Sequence, residues 1–314
     1  MVRLSDGLFI NNTMHTISFS RRARVLAGTA MLAIGLAPSS HAAKFPALND
    51  PATTEHIPGK LVWADLITTD PDSATKFYTS LLGWTAAPIE QKGKGYVVFS
   101  NNGRPVAGLA PHNVKGGTHP ARWIGYYSVT DIDAAVAAVT KEGGKVYATS
   151  HKFPDRGLQA IVADKDGNPI GLLQSSSGDS ADAEPKPGDW NWFELYVTNT
   201  KDTGDFYHGA LGLEVAPETN SEKKSEFVLS TAGQARGGIA EMPAGDNNKP
   251  SWLGVIRVAN LDDTLAKVAG LGGEVLVPPH SVEYGSRFAI ILDSTGGTVG
   301  LVQYVDNANP ATSQ

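Results

Sequence analysis

The chain has 314 residues, 41% of them hydrophobic and 18% charged, with a formal net charge of −6. That is enough for two domains with apolar cores, and it excludes a disordered chain. Cysteine is absent, which excludes disulfides, thiolate catalysis and cysteine-based zinc sites.

Residues 1–42 hold Arg3, Arg21, Arg22 and Arg24 against one acid, Asp6. An apolar run from Val25 to Leu36, a helix-breaking Pro38 and the small-residue site Ser40-His41-Ala42 follow. Basic start, short apolar run and small cleavage residues read as a secretory signal, with an uncleaved membrane anchor as the alternative. Ser20-Arg21-Arg22 hints at twin-arginine export. The expected location is periplasmic or secreted, with no membrane attachment after cleavage. Loss of the leader takes the net charge to about −9, so no attraction for nucleic acid is expected. Residues 43–58 read as a loose N-terminal extension.

From residue 59 the chain repeats itself at an offset of 129: Trp63 answers Trp192, Phe77-Tyr78 answers Phe206-Tyr207, and Asp164 answers Asp293. Two repeats of that size are whole domains, 59–174 and 188–304. The polar, acidic stretch 175–187 between them reads as a linker, and 305–314 as a tail.

Within the first repeat, residues 61–67 predict a strand. Pro71, Asp72 and Ser73 then open a helix whose apolar stripe is Ala74, Phe77, Tyr78, Leu81 and Leu82, stopped by Gly83. Strands follow near 96–100 and 105–110. The theme restarts with a strand at 124–129 and a helix over 131–144 whose inward positions are Ile132, Ala135, Val136 and Val139. Strands resume near 158–163 and 169–174. Each repeat therefore holds two βαβββ units, an α+β architecture.

Strand alternation puts Val62, Ala64 and Leu66, and Phe193, Leu195 and Val197, on faces that suit packing under a helix. The opposite faces read Leu61-Trp63-Asp65-Ile67 and Trp190-Trp192-Glu194-Tyr196. Aromatic walls with one carboxylate invite a small-molecule pocket.

The pattern [D/N]-x3-A/T-x2-FY, then Gly, then a closing D-x-x-G before a final strand, is carried by Asp70…Phe77-Tyr78…Gly83 and Asp164-Lys165-Asp166-Gly167. The second copy carries it as Thr198…Phe206-Tyr207…Gly212 and Asp293-Ser294-Thr295-Gly296. It resembles the glyoxalase/bleomycin-resistance/extradiol-dioxygenase, or vicinal oxygen chelate (VOC), superfamily over about 59–174 and 188–303. The resemblance implies two tandem domains, each a cup-shaped mixed sheet of paired βαβββ units with helices outside. Enzymes of that family hold a divalent metal with His, Gln and Glu. Those positions fall here on Trp63 and Trp192, on Gly171 and Gly300, and near Gly108 and Ile124, with Gly237 or Gly238 and Leu253 in the second copy. None is a ligand type. No metal or other cofactor is expected, and the glycines imply open space beside an aromatic plate.

Asp65 and Glu194 are the candidate catalytic or ligand-anchoring groups; the alternative is a carboxylate that ties strand ends together. Trp63, Trp192, Gln174, Gln303 and Tyr126 are the candidate ligand contacts, with Tyr127 and Arg287 as further lining. His151 and His280 hold equivalent places, each as a lone histidine, and His112 and His119 have no repeat partner. The function expected is an exported protein binding a small organic molecule in aromatic-lined cups, probed against an alternative: a lyase, isomerase or dioxygenase with a rearranged metal site or metal-free acid/base chemistry.

Overall fold

The computed structural model describes residues 45–91, 94–112, 120–219, 225–242, 250–282 and 286–304. The leader and the C-terminal tail read from the sequence lie outside them. The first domain runs β1 (Leu61–Thr68), α1 (Pro71–Leu82), β2 (Thr85–Gln91), β3 (Lys94–Asn101) and β4 (Arg104–Pro111). It then repeats as β5 (Arg122–Ser128), α2 (Ile132–Lys141), β6 (Lys145–Phe153), β7 (Gly157–Ala163) and β8 (Pro169–Ser175). The second domain has the same order: β9 (Trp190–Val197), α3 (Thr200–Leu211), β10 (Glu214–Thr219), β11 (Ser225–Thr231), β12 (Gln234–Glu241), β13 (Ser251–Arg257), α4 (Leu261–Val268), β14 (Glu274–Ser281), β15 (Arg287–Leu292) and β16 (Thr298–Gln303). A short 3₁₀ turn, Ala269–Leu271, extends α4. The strands β2 and β6, with β10 and β14 in the second domain, are the members of the βαβββ units that the sequence reading counts without placing.

Each domain closes one eight-stranded sheet, in the orders β2-β3-β4-β1-β5-β8-β7-β6 and β10-β11-β12-β9-β13-β16-β15-β14. The two βαβββ units of a domain join along their first strands, β1 against β5 and β9 against β13, both antiparallel. The helices start on one device used four times. Asp70, Asp131, Asn199 and Asn260 each accept a hydrogen bond from the backbone N–H three residues on, which satisfies one orphan donor of the first turn. In the second copy the cap is Asn199 and not the neighbouring Thr198. Gly83 and Gly212, at φ 72° and 67°, end α1 and α3 in the left-handed conformation that favours glycine.

The convex faces of the two sheets share a single helical layer. One buried cluster joins Leu66, Phe77 and Tyr78 of the first domain to Phe193, Leu261 and Ile291 of the second. Another joins Ile132, Val139 and Val162 to Leu195, Phe206 and Tyr207. The domains are thus packed back to back, α1 beside α4 and α2 beside α3, with one concave face turned outward in each. Gly125 allows this close approach, since a Cβ there would stand 2.9 Å from the Phe193 ring of the second domain; Gly254 makes room within its own domain, where a Cβ would stand 2.7 Å from Trp190.

The family-motif residues lock the layer. Tyr78 donates to Asp293 Oδ2 across the domain boundary at 2.8 Å, and Trp123 Nε1 donates to Tyr78 at 2.8 Å. Reciprocally, Tyr207 donates to Asp164 Oδ2 at 3.3 Å. Each aspartate spends its other oxygen on its own turn, Asp164 Oδ1 accepting from the N–H groups of Asp166 and Asn168, and Asp293 Oδ1 from those of Thr295 and Gly297.

Two expectations are corrected here. Bulges in the β1–β5 and β9–β13 ladders break the alternation between Leu61 and Trp63 and between Trp190 and Trp192. Leu61 and Trp190 therefore turn to the helical layer, and Val62 turns to the cup; a single extra residue moves the following side chains to the other face. The extension and the linker are also packed together: Thr53 N donates to Ser177 O at 2.8 Å and Ile57 N to Asp179 Oδ2 at 2.6 Å. In the linker Asp182 holds Arg236 of the second domain, at 2.7 Å, and Lys60 at the head of the first, at 3.0 Å.

Replacing Tyr78 with Phe strands the buried Asp293 Oδ2 and Trp123 Nε1 and is expected to destabilise the whole chain by about 1–3 kcal/mol. The same change at Tyr207, whose bond is longer, should cost less. Urea unfolding of both variants gives the comparison.

Candidate functional site

Strand β1 aims Trp63, Asp65 and Ile67 into the first cup, and all three are screened from solvent to differing degrees, Trp63 being only 2% exposed and Asp65 5%. Trp63 Nε1 donates to Asp65 Oδ1 at 2.7 Å, and the Tyr96 hydroxyl donates to the same oxygen at 2.5 Å. Tyr126 faces the same carboxylate. Burial first, and the Asp65 charge second, push the hydroxyl pKa values of Tyr96 and Tyr126 well above the usual phenol value, so both stay protonated donors. Arg156, from the β6–β7 turn, is fully buried and lies with its guanidinium carbon 3.9 Å from the centre of the Trp63 ring. Phe45, from the N-terminal segment, packs on Tyr96 at 5.0 Å and Phe153 at 5.4 Å between ring centres.

The glycines do not leave the space expected of them. A Cβ at Gly108 would overlap the Tyr96 hydroxyl and the Asp65 carboxylate, and one at Gly171 would overlap the Tyr126 ring. In the second cup a Cβ at Gly238 would sit 2.5 Å from Glu194, and one at Gly300 2.9 Å from the Phe288 ring. The room that glycine provides is filled by the chain's own acid and aromatic groups.

The second cup keeps the tryptophan–acid pair, Trp192 Nε1 donating to Glu194 Oε2 at 2.5 Å. Its other groups differ. By ladder register Glu226 takes the place of Tyr96, and at the repeat offset Val255 takes that of Tyr126. Burial first, then the charges of Glu226 and Glu218, push the Glu194 carboxyl well above the usual range.

The remaining sequence candidates go elsewhere. Gln174 and Gln303 do not reach a cup: their carbonyl oxygens accept from the first-turn N–H groups of Ile132 and Leu261, at 3.2 and 2.8 Å, as helix caps. Tyr127 belongs to the helical layer between the domains, together with Trp123 and Trp252. Arg287 is held outside by Asp262 at 2.6 Å. His151 and His280 each lie edge-on to a phenylalanine, Phe153 and Phe288, on outer strands. Tyr96, Phe45 and Arg156 were not singled out by sequence reasoning. Arg156 has no arginine at the matching offset in the second repeat, and that asymmetry was the available signal.

Cavities accompany the cups among the described residues. One of about 510 Å³ opens at the far end of the first cup, floored by Ile67, Ile124 and Ile161 and rimmed by Thr69, His112 and Tyr147. A second, about 420 Å³, lies at the seam between the domains under the linker, where it touches both Trp63 and Trp192. A third, about 360 Å³, lies against β10–β12 beside Glu218 and Val228.

The architecture, two outward cups each built from paired βαβββ units around an acid-bearing first strand, is that of a tandem VOC protein. The chain belongs to the Glyoxalase/Bleomycin resistance protein/Dioxygenase superfamily, whose pattern matches residues 60–172 and again 190–301. It is 31% identical over 259 residues to "Putative glyoxylase CFP32" of Mycobacterium tuberculosis, covering 81% of this chain and 98% of that protein. It is 29% identical over 263 residues to "Anthracycline biosynthesis protein DnrV" of Streptomyces peucetius, covering 80% of this chain and 95% of the relative. Among solved structures it shares its fold with the Mn(II)-bound glyoxalase of Novosphingobium aromaticivorans (TM-score 0.56, 16% identity, 80% of this chain and 84% of the other).

The divalent metal that this fold holds in that structure does not fit the donors of the first cup. Trp63, Gly108, Ile124 and Gly171 offer no oxygen or nitrogen lone pair from a side chain suited to an ion, and the Arg156 cation is packed on Trp63. Among the described residues no group of three His, Asp or Glu side chains converges.

The raised Glu194 carboxyl yields a pH signature. Its folded pKa lies above the unfolded value of about 4.3, so its contribution to stability is complete below that value and is lost as the pH rises through the folded pKa. Glu194→Gln, a neutral isostere, should match the wild type in urea unfolding near pH 4 and exceed it increasingly toward pH 8. A stability difference constant across that range would refute the assignment.

Proposed function

We propose that this protein is an exported small-molecule binding protein that works without a metal, and that its ligand seats in the open end of the first cup. The observation carrying the reading is the 510 Å³ cavity floored by Ile67, Ile124 and Ile161. That volume suits a compact organic ligand. Its floor continues into the Asp65–Tyr96–Tyr126 layer, since Ile124 is the ladder partner of Asp65. The apolar floor supplies contact area, and the polar layer beyond it supplies orientation.

Binding is favoured over acid/base catalysis by how Asp65 is held. One of its oxygens already accepts from both Trp63 and Tyr96, which suits a fixed polar wall better than a proton acceptor. The family relatives with names in glyoxylase chemistry and antibiotic biosynthesis support an organic ligand. The export reading rests on the leader, and N-terminal sequencing of protein recovered from its native host should begin at Ala43.

A thermal-shift screen of aromatic and bicyclic compounds tests the binding site. A compound at 100 times its dissociation constant adds about 2.7 kcal/mol, roughly 4 °C in melting temperature for a chain of this size. Ile161→Trp, which fills the cavity, should abolish the shift while preserving the circular dichroism spectrum. A library without any hit, or hits indifferent to Ile161→Trp, would overturn the site.

A further inference from the structure

The closed end of the first cup holds a cation that the open-end site leaves unused. The turn bearing Arg156 is pinned on both sides: Arg156 N donates to Phe153 O at 3.2 Å, and Ser176 N donates to Arg156 O at 3.0 Å. Gly157, at φ 116°, completes a tight turn in which a Cβ would collide with Gln174 O. The side chain is thereby sent inward, where it is fully buried.

Arg156 carries five N–H donors, yet no acceptor among the described residues bonds its Nε, Nη1 or Nη2. Leaving such donors buried and unpaired is costly. Asp65 supplies a neighbouring counter-charge, but its Oδ1 is taken by Trp63 and Tyr96. The guanidinium is instead covered by rings, Trp63 at 3.9 Å and Phe45 at 5.4 Å from its central carbon.

Phe45 is the least tethered part of this arrangement. Among the described residues the backbone tethers of its segment begin at Leu48, where the N–H groups of Leu48 and Asn49 donate to Ser177 Oγ at 3.0 and 3.1 Å. Phe45 itself is held by ring contacts, with 7% of its surface exposed.

We infer that Phe45 stands in for an aromatic ligand, and that the closed end of the first cup takes a planar aromatic ketone or quinone whose ring replaces Phe45 and whose carbonyl oxygen accepts from Arg156. This rests on the reading of the chain as a small-molecule binder. A ring fits because Tyr96, Phe153 and Trp63 bound the slot. An acceptor oxygen fits because the guanidinium has donors to spare. A neutral ligand fits because Asp65 already balances Arg156, and a second anion would leave a net negative charge in a site shielded from water.

Calorimetric titration of the full chain with acetophenone, isopropylbenzene (a methyl in place of the oxygen) and benzoate tests this. Phe45→Ala should bind acetophenone at least tenfold tighter than the wild type, with Phe45→Leu in between. On Phe45→Ala, isopropylbenzene should bind at least tenfold more weakly than acetophenone, and adding Arg156→Met should erase that preference. Equal affinity of wild type and both Phe45 variants, a preference that survives Arg156→Met, or benzoate binding tighter than acetophenone would each overturn the inference. Acetophenone binding that is lost in Ile161→Trp but indifferent to Phe45 and Arg156 would sink this inference and leave the open-end site standing.

Discussion

The reciprocal tyrosine–aspartate bonds between the domains hold the architecture together. Tyr78 on α1 reaches Asp293, and Tyr207 on α3 reaches Asp164. Each aspartate also closes the turn before its final strand, so one carboxylate couples a turn, a helix and a domain boundary. The bonds lie in a water-poor layer, where an unmet partner is expensive. They hold the two convex faces together and so determine that the cups open away from each other. The seam cavity beneath the linker, touched by both Trp63 and Trp192, follows from the same packing.

Within that shared frame the two cups have become chemically different. Both keep a tryptophan that donates to an acid two residues on. In the first cup that acid meets two tyrosines and a buried arginine. In the second it meets Glu226 and Glu218, and burial together with their charge favours its neutral form. A duplicated backbone therefore supports two polar interiors, one that balances a cation and one that suppresses an anion. The N-terminal segment adds to the difference, since Phe45 enters the first cup.

Much of the fold was legible because its signals are local. The 3.6-residue stripe of α1, its opening at Pro71, Asp72 and Ser73 and the stop at Gly83 lie within a few residues of what they control. The family positions could be counted from the Phe-Tyr pair and the Asp-x-x-Gly turn. The errors arose where a non-local partner decides. Gln174 and Gln303 end strands that border the cups, but helix N-termini forty-two residues earlier capture them. Glycine at 108 and 171 reads as empty space until Tyr96 and Tyr126 are seen to fill it.

By itself the sequence determined the duplication, the order of strands and helices, the family and the placing of a tryptophan beside an acid on each first strand, because periodicity, capping and turn residues act over short distances. Only the tertiary structure decided where the bulges turn Leu61, Val62 and Trp190, and that an extension and a turn 111 residues apart bring Phe45 onto Arg156. Those outcomes depend on which surfaces meet across the sheet and between the domains, and no local pattern encodes a contact whose two halves are written so far apart.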